Sequence, residues 1–354
     1  MTMNKIYSWQ HKLWNKLTHH ADSGANALLL KGRAGIGKLD FARHFAKFRL
    51  CETPSSTSEA CGTCLSCGWF EKGGHPDFYH VSPETSANFS GEAAVAVDRD
   101  ESAGRIKSKK KTSQQISIVQ IRALSDFVYM TGHQRGRRII LICPAEAMNA
   151  AAANALLKKL EEPPAHVLFI LVAHRPQQLP ATIRSRCQLI NMPMPDVVQA
   201  TRWLKQQGVN EPEACLAAAS FAPLLALTFN DQRYAAQHDA FIEQISASRK
   251  INPIELAEKM QQSDLPIVVS WMQKWCYDLL CFCLTGKVRY HLSRMTTIRV
   301  LASSIENKAL AAFLRTLLVS QQLARHPLNP RLFLEEIFIK YATLLDSNGV
   351  KRSS

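Results

Sequence analysis

Residues 27–38 read ALLLKGRAGIGK. The continuous apolar run at 27–30 predicts a short buried strand, and the glycines that follow predict a loop. Ala42, Phe45 and Ala46 come next at helical spacing. A strand, a glycine loop and a helix in this order are what a phosphate-binding loop requires. This stretch therefore indicates an α/β domain of the P-loop type.

The residues on either side of this stretch continue the alternation of strands and helices. Further apolar runs predict strands at 78–81, 138–143, 167–173 and 187–192. Helical patterns lie between them, including 116–129 and 150–160. Strands that alternate with helices indicate a parallel sheet with helices on both faces. We predict that this domain covers residues 1–194.

The pattern changes after Pro193 and Pro195, beyond which no strand is predicted. Residues 195–245 contain short helical patterns and are predicted to form a small helical lid domain. Residues 246–354 are predicted to form an all-helical C-terminal domain. Longer amphipathic segments in it lie at 253–262, 265–284, 297–322 and 330–345.

The phosphate loop departs from an active nucleotide site. Gly32, Gly37 and Lys38 fit the pattern G-x4-G-K-[ST], but Leu39 replaces the hydroxyl residue that normally binds Mg²⁺. The strand at 138–143 should end in an acidic pair, and Glu146 comes too late on the turn to supply it. We predict that ATP and Mg²⁺ are not functional ligands of this chain. The loop then either holds a phosphate weakly or survives as a turn without a ligand.

Four cysteines are clustered with the spacing C-x9-C-x2-C-x2-C. They are Cys51, Cys61, Cys64 and Cys67. Four thiolates without histidine favour a structural Zn²⁺ site, although an iron–sulfur cluster and disulfides remain alternatives. Gly62 and Gly68 are predicted to allow the turns that bring the sulfur atoms together. His75 is a nearby substitute ligand, but a role in the following turn is the preferred interpretation.

Composition limits the classes of partner. The 354 residues include 43 Lys+Arg and 29 Asp+Glu, a net charge of +14 that permits a polyanionic partner without proving one. Part of this charge lies at 107–111, inside a polar insertion at 86–115 that predicts a solvated loop rather than a DNA contact. The longest uninterrupted apolar run, 167–173, is shorter than a membrane span, and the N-terminus lacks a signal sequence. A cytoplasmic protein with no membrane partner is predicted.

Several motifs then resemble one family. Residues 154–164 read NALLKKLEEPP, residues 183–187 read IRSRC, and residues 326–331 read HPLNPR. Together with the cysteine module and the altered phosphate loop, they resemble the clamp-loader subunits of bacterial DNA polymerase III, which are AAA+ proteins. The resemblance spans residues 5–345. The insertion at 86–115 departs from the family and inherits no role from it.

The resemblance implies a role in DNA replication. Such a chain joins gamma/tau and delta subunits in an open ring held by the C-terminal helical domains, and the ring places the sliding clamp on primer–template DNA. The resemblance also implies a non-hydrolysing member that supplies an arginine finger from its S-R-C motif to the ATP of a neighbouring subunit. In this sequence the finger is Arg186, with Arg184 the less favoured choice.

Two other functions compete with this interpretation. An active AAA+ ATPase or helicase loader would need a Mg²⁺ ligand at position 39 or carboxylates near 145. A zinc-dependent DNA-binding protein would need basic donors in the cysteine module, where only Lys72 is close. An ATPase assay of the purified chain and the DNA affinity of a Cys51→Ser variant discriminate between them.

Overall fold

The computed structural model describes residues 6–19, 25–55, 59–84, 113–129, 137–164, 166–247, 251–324, 326 and 328–346. Most of the predicted insertion, including its lysine tract, lies outside these residues. The chain divides into two compact units, Met1–Pro195 and Asp196–Ser354, which are described separately.

The first unit is built on a five-stranded sheet. Its strands are β1 (Ala27–Lys31), β2 (Phe78–Val81), β3 (Arg138–Ile142), β4 (Val167–Ala173) and β5 (Gln188–Asn191). The spatial order is β2-β3-β4-β1-β5, and every neighbouring pair is parallel. This confirms the predicted parallel α/β sheet.

Helices cover both faces of this sheet. They are α1 (His11–His19), α2 (Lys38–Leu50), α3 (Leu65–Glu71), α4 (Ile118–Tyr129), α5 (Ala150–Glu161) and α6 (Ala181–Ser185). Successive residues of a strand point to opposite faces, so Leu28 and Leu30 join the core beneath α1 and α2, while Leu29 joins the core beneath α4, α5 and α6. The carboxyl ends of the parallel strands meet at one edge. The phosphate loop and the turns that follow β3 and β4 therefore lie at that edge.

The second unit is entirely helical in its described part. Its helices are α7 (Val197–Gln206), α8 (Pro212–Ala218), α9 (Pro223–Phe229), α10 (Gln232–Ser246), α11 (Pro253–Met260), α12 (Leu265–Thr285), α13 (Met295–Ala302), α14 (Asn307–Leu323) and α15 (Pro330–Asp346). The amphipathic segment predicted at 297–322 forms two helices instead of one continuous helix, because residues 303–306 separate α13 from α14. The division of this unit into lid and C-terminal domains stays a prediction.

Helix α12 corrects one further expectation from the sequence. It has 21 residues and is long and apolar enough, by length and composition, to cross a membrane. Among the described residues it is the single helix of this kind, while α8 and α9 pass the same test only as a bent pair. The segment 265–284 was predicted as a helix, but the search for uninterrupted apolar runs did not show that this helix has the length and composition of a membrane span. Trp271 and Trp275 of α12 lie fully inside the hydrophobic core of the second unit, as expected for a core helix.

Candidate functional site

The cysteine cluster forms between the end of α2 and the start of α3. The four Sγ atoms lie within 4.8 Å of one another. The Sγ–Sγ distances are 3.9 Å for Cys51–Cys64 and 4.0 Å for Cys61–Cys67. Four sulfurs placed about 2.3 Å from a tetrahedral ion would be about 3.8 Å apart, whereas a disulfide needs about 2 Å. The arrangement therefore fits four ligands around one metal ion better than it fits disulfides.

Backbone amides donate hydrogen bonds to the sulfur atoms of this cluster. The N–H groups of Cys61, Cys64 and Cys67 each donate to the sulfur of the preceding cysteine, with N–S distances of 3.3 to 3.4 Å. Such donors stabilise negative charge on thiolates. Gly62 has φ +75°, a conformation that favours glycine, at the turn between two of these cysteines. Gly68 does not share this role, because it lies inside α3.

His75 lies beside the cluster and does not belong to it. Its Nε2 is 2.8 Å from the hydroxyl of Ser66, which itself donates to the carbonyl of Leu50 at 2.7 Å. Its Nδ1 accepts the backbone N–H of Asp77 at 3.0 Å. His75 thus ties the end of α2, helix α3 and the turn before β2 together.

The lysine of the phosphate loop is bonded to the loop itself. Lys38 is the first residue of α2 and is almost completely buried. Its Nζ donates to the carbonyl of Gly32 at 2.8 Å and to the carbonyl of Arg33. Burial lowers the pKa of Lys38 to about 8, although Cys143 and Glu146 oppose this shift. A lysine held by loop carbonyls has fewer donors for a phosphate.

Two residues from the N-terminal segment, Tyr7 and Gln10, contact the same loop. The side chain of Gln10 donates to the carbonyls of Ile36 and Gly37 at 2.9 and 3.0 Å. Gly37 has φ +82°, and a Cβ added there would lie 2.4 Å from the ring of Tyr7. Glycine is therefore required at this position by backbone conformation and by space.

Glu146 follows β3 and holds the turn after β4. Its Oε1 accepts the backbone N–H groups of His174 and Arg175 at 2.9 and 3.0 Å. Its other oxygen is buried and has no hydrogen-bond partner among the described residues. The carboxylate is thus oriented as a structural brace between two strand ends rather than as half of an acidic pair.

Arg186 is an exposed residue between the last helix and the last strand of the first unit. It caps the C-terminus of α6, and β5 begins two residues later. One guanidinium nitrogen, Nη2, is 2.7 Å from Oε1 of Glu161, and Nη1 donates to the carbonyl of Thr182 at 3.1 Å. The side chain of Arg186 is 35% exposed. Arg184, in the last turn of α6, is less exposed.

Comparison with known proteins identifies the family. The family described as "DNA polymerase III, delta subunit" matches residues 9–196. A DNA polymerase III subunit delta' of Pseudomonas aeruginosa is 32% identical over 97% of this chain and 99% of its own length. The chain belongs to the delta-prime family of DNA polymerase III subunits. A second delta' subunit, from Haemophilus influenzae, is 28% identical over 78% of both chains.

The solved structures that this delta-prime family member resembles include a more distant protein. A protein of Thermotoga maritima titled as gamma subunit-related is 14% identical, covers 94% of this chain and 99% of its own, and gives a TM-score of 0.42. That likeness is too distant to support an argument about the site.

Two residues of this delta-prime chain gain importance only from the structure. From the sequence alone, Glu146 is a carboxylate that comes too late after its strand to join an acidic pair, and Glu161 is a residue near the end of a predicted helix. Their partners are 28 and 25 positions away in the sequence, at His174 and Arg186. Motif spacing predicts neither pair, since both depend on how β4 and α6 pack against α5 and β3. The LEEPP and S-R-C motifs, taken together, were the available signal for the second pair.

Proposed function

We propose that this chain is a non-hydrolysing clamp-loader subunit. It assembles with gamma/tau and delta subunits and helps to load the sliding clamp onto primer–template DNA. The observation that carries the proposal is the match to a delta' subunit over nearly the whole of both chains, combined with a phosphate loop that lacks its Mg²⁺ ligands. The helical domains at 195–245 and 246–354 serve as lid and as ring-forming collar.

Loss of hydrolysis follows from the chemistry of the loop. Phosphoryl transfer relies on Mg²⁺ and on a carboxylate that orients the attacking water. Leu39 offers no oxygen to a metal, and the turn after β3 presents Cys143 and Pro144 where carboxylates are needed. The bonds from Lys38 to Gly32 and Arg33 support the same conclusion.

Arg186 is the residue that acts on a neighbour. A guanidinium stays charged at every physiological pH and offers a planar set of donors to phosphate oxygens. In other phosphoryl-transfer systems an arginine supplied in trans accelerates the reaction by about 10³–10⁵. Its partial exposure at the end of α6 supports a role in reaching another subunit.

The cysteine cluster is proposed to hold a structural Zn²⁺ through Cys51, Cys61, Cys64 and Cys67. Its four-thiolate donor set and Sγ–Sγ distances fit a closed tetrahedral site. The metal would supply folding free energy to the segment between α2 and β2.

The direct test is reconstitution of the ring with purified gamma/tau and delta subunits. An Arg186→Ala chain should assemble normally and lower DNA-dependent ATP turnover of the ring at least tenfold. Arg202→Ala removes an exposed arginine from α7 and serves as the charge-matched control. Unchanged turnover with Arg186→Ala would refute the finger assignment, and failure of the wild-type chain to join the ring would refute the subunit assignment.

A further inference from the structure

The contact between Glu161 and Arg186 joins two of the motifs that resemble those of clamp-loader subunits. Glu161 is the last residue of α5 and belongs to the LEEPP sequence, whereas Arg186 belongs to the S-R-C sequence. The 2.7 Å distance between Nη2 and Oε1 is short, as expected for a charge-assisted hydrogen bond. The carbonyl of Thr182 provides a second anchor, on Nη1.

Both anchors stand on well-packed elements. Leu156 and Leu160 of α5 are buried in the sheet core, so the end of this helix is fixed. Ile183 of α6 is fully buried in the same core and fixes the turn that carries Thr182. The guanidinium of Arg186 is therefore bonded to two groups whose positions are fixed by the core of the folded domain.

These two fixed contacts reduce the conformational freedom of the Arg186 side chain. A free arginine samples many rotamers, and ordering it costs up to about 2 kcal/mol of side-chain entropy. Two contacts on different nitrogens restrict Arg186 before any phosphate arrives. A guanidinium has five N–H donors, so donors remain for phosphate oxygens after these two bonds are made.

We propose that Glu161 is a positioning residue for Arg186, which it holds in the orientation that meets the nucleotide of the neighbouring subunit. This inference rests on the proposed function and adds a second residue to it. The pair is partly exposed, and surface ion pairs stabilise a fold by only about 0–1 kcal/mol. Its contribution therefore lies in geometry, on which transition-state stabilisation depends steeply.

The chain provides a matched control at the next position. Glu162 is exposed and makes no ion pair with any residue in the part of the chain that the structure describes. Glu161→Ala and Glu162→Ala remove the same charge one residue apart. Glu161→Gln keeps an oxygen that can accept the bond from Nη2, and it serves as the conservative variant.

The experiment measures DNA-dependent ATP turnover of the complete reconstituted ring, as kcat and as KM for ATP. Glu161→Ala should lower kcat about five- to tenfold with little change in KM, because a misplaced finger affects the transition state more than binding. Glu161→Gln should retain more of the wild-type kcat than Glu161→Ala, and Glu162→Ala should match wild type. In an Arg186→Ala background, Glu161→Ala should have no further effect.

Other results separate failure of this inference from failure of the finger itself. If Arg186→Ala lowers kcat while Glu161→Ala does not, Glu161 has no positioning role and the finger stands. A rise in kcat with Glu161→Ala would mean that the carboxylate competes with phosphate, which contradicts positioning. An effect of Glu161→Ala that persists without Arg186 would indicate a general structural role. If Arg186→Ala has no effect, both proposals fail.

Discussion

At the scale of single residues, the carboxylate of Glu146 shows how this domain uses the edge of its sheet. In an active nucleotide site the ends of β3 and β4 carry groups that face the metal and the phosphate. Here Glu146 binds the backbone N–H groups of His174 and Arg175 instead. The turn after β4 is thereby fixed by a contact inside the domain.

We expect Glu146→Ala to lower the free energy of unfolding by about 1–2 kcal/mol, because two backbone donors lose their acceptor. Chemical denaturation of the purified chain measures this change. Glu162→Ala, at an exposed position, should stay within about 0.5 kcal/mol of wild type. Equal stability of the Glu146→Ala and Glu162→Ala chains would contradict the bracing role.

The sequence was informative at this scale only where a motif fixes the chemistry. The cysteine spacing correctly predicted that Cys51, Cys61, Cys64 and Cys67 come together. The same reasoning assigned a turn to Gly68, which is helical, because a glycine in a helix and one in a turn look alike in a sequence. The contacts of Glu146 and Glu161 are long-range, and spacing carries no information about them.

At the scale of elements, the segment between α2 and β2 has little apolar core of its own, so the proposed metal should hold it. Cys64→Ser should reduce bound zinc from about one ion per chain to a small fraction and destabilise this segment. Metal analysis after exhaustive dialysis measures the zinc content, and hydrogen exchange over 51–75 measures the segment. Cys215→Ser, in α8, should change neither quantity. Full zinc content in the Cys64→Ser chain would disprove its role as a ligand.

We expect a buried histidine in α10, His238, to make the stability of the second unit sensitive to acid. His238 stacks on His291 with ring centroids 5.7 Å apart and meets Trp271 edge-on at 5.3 Å. Burial, followed by the charges of His291 and Lys274, lowers the pKa of His238 to about 4, while Asp239 acts in the opposite direction. The unfolded chain binds this proton near pH 6.5, so stability is lost as the pH falls from 6.5 towards 4.

The expected loss from His238 is at most about 3 kcal/mol. His238→Phe keeps an aromatic ring without a titrating group, and it should flatten the dependence of the urea midpoint on pH between 7 and 5. His326→Phe, at an exposed position, should leave that dependence as it is in the wild type. A His238→Phe chain with the wild-type pH dependence would contradict this account.

The boundaries of helices and strands could be predicted from the sequence where a single pattern, such as a run of apolar residues, marked the element. Strands β1, β3 and β4 are largely buried apolar runs, and each of the five predicted strands lies within one residue of the observed one at both ends. The segment 297–322 failed because apolar residues continue through the break, where Ile305 is buried between α13 and α14. Periodicity detects an apolar face and does not detect a change of chain direction.

At the scale of the whole molecule, the family and the parallel sheet domain could be predicted because several separated motifs agreed. A strand followed by a glycine loop fixes the sheet domain, and motifs near residues 160, 185 and 330 extend the resemblance along the chain. How the subunits contact one another could not be predicted, since interface geometry leaves no periodic signature. In the proposed function this chain acts on the ATP of a neighbouring subunit and does not hydrolyse ATP itself. The phosphate loop of this chain therefore offers a test of the non-hydrolysing assignment.

Leu39→Thr restores the hydroxyl of a standard phosphate loop and should still give no ATP turnover above the enzyme-free blank. The turn after β3 still lacks carboxylates for metal and water, and Lys38 remains bonded to Gly32 and Arg33. Release of inorganic phosphate from Mg²⁺·ATP by the isolated chains measures this. Mg²⁺-dependent turnover by the wild-type chain would contradict the non-hydrolysing assignment. Turnover by Leu39→Thr alone would show that the hydroxyl was the only missing part, and that the remaining loop is still arranged for catalysis.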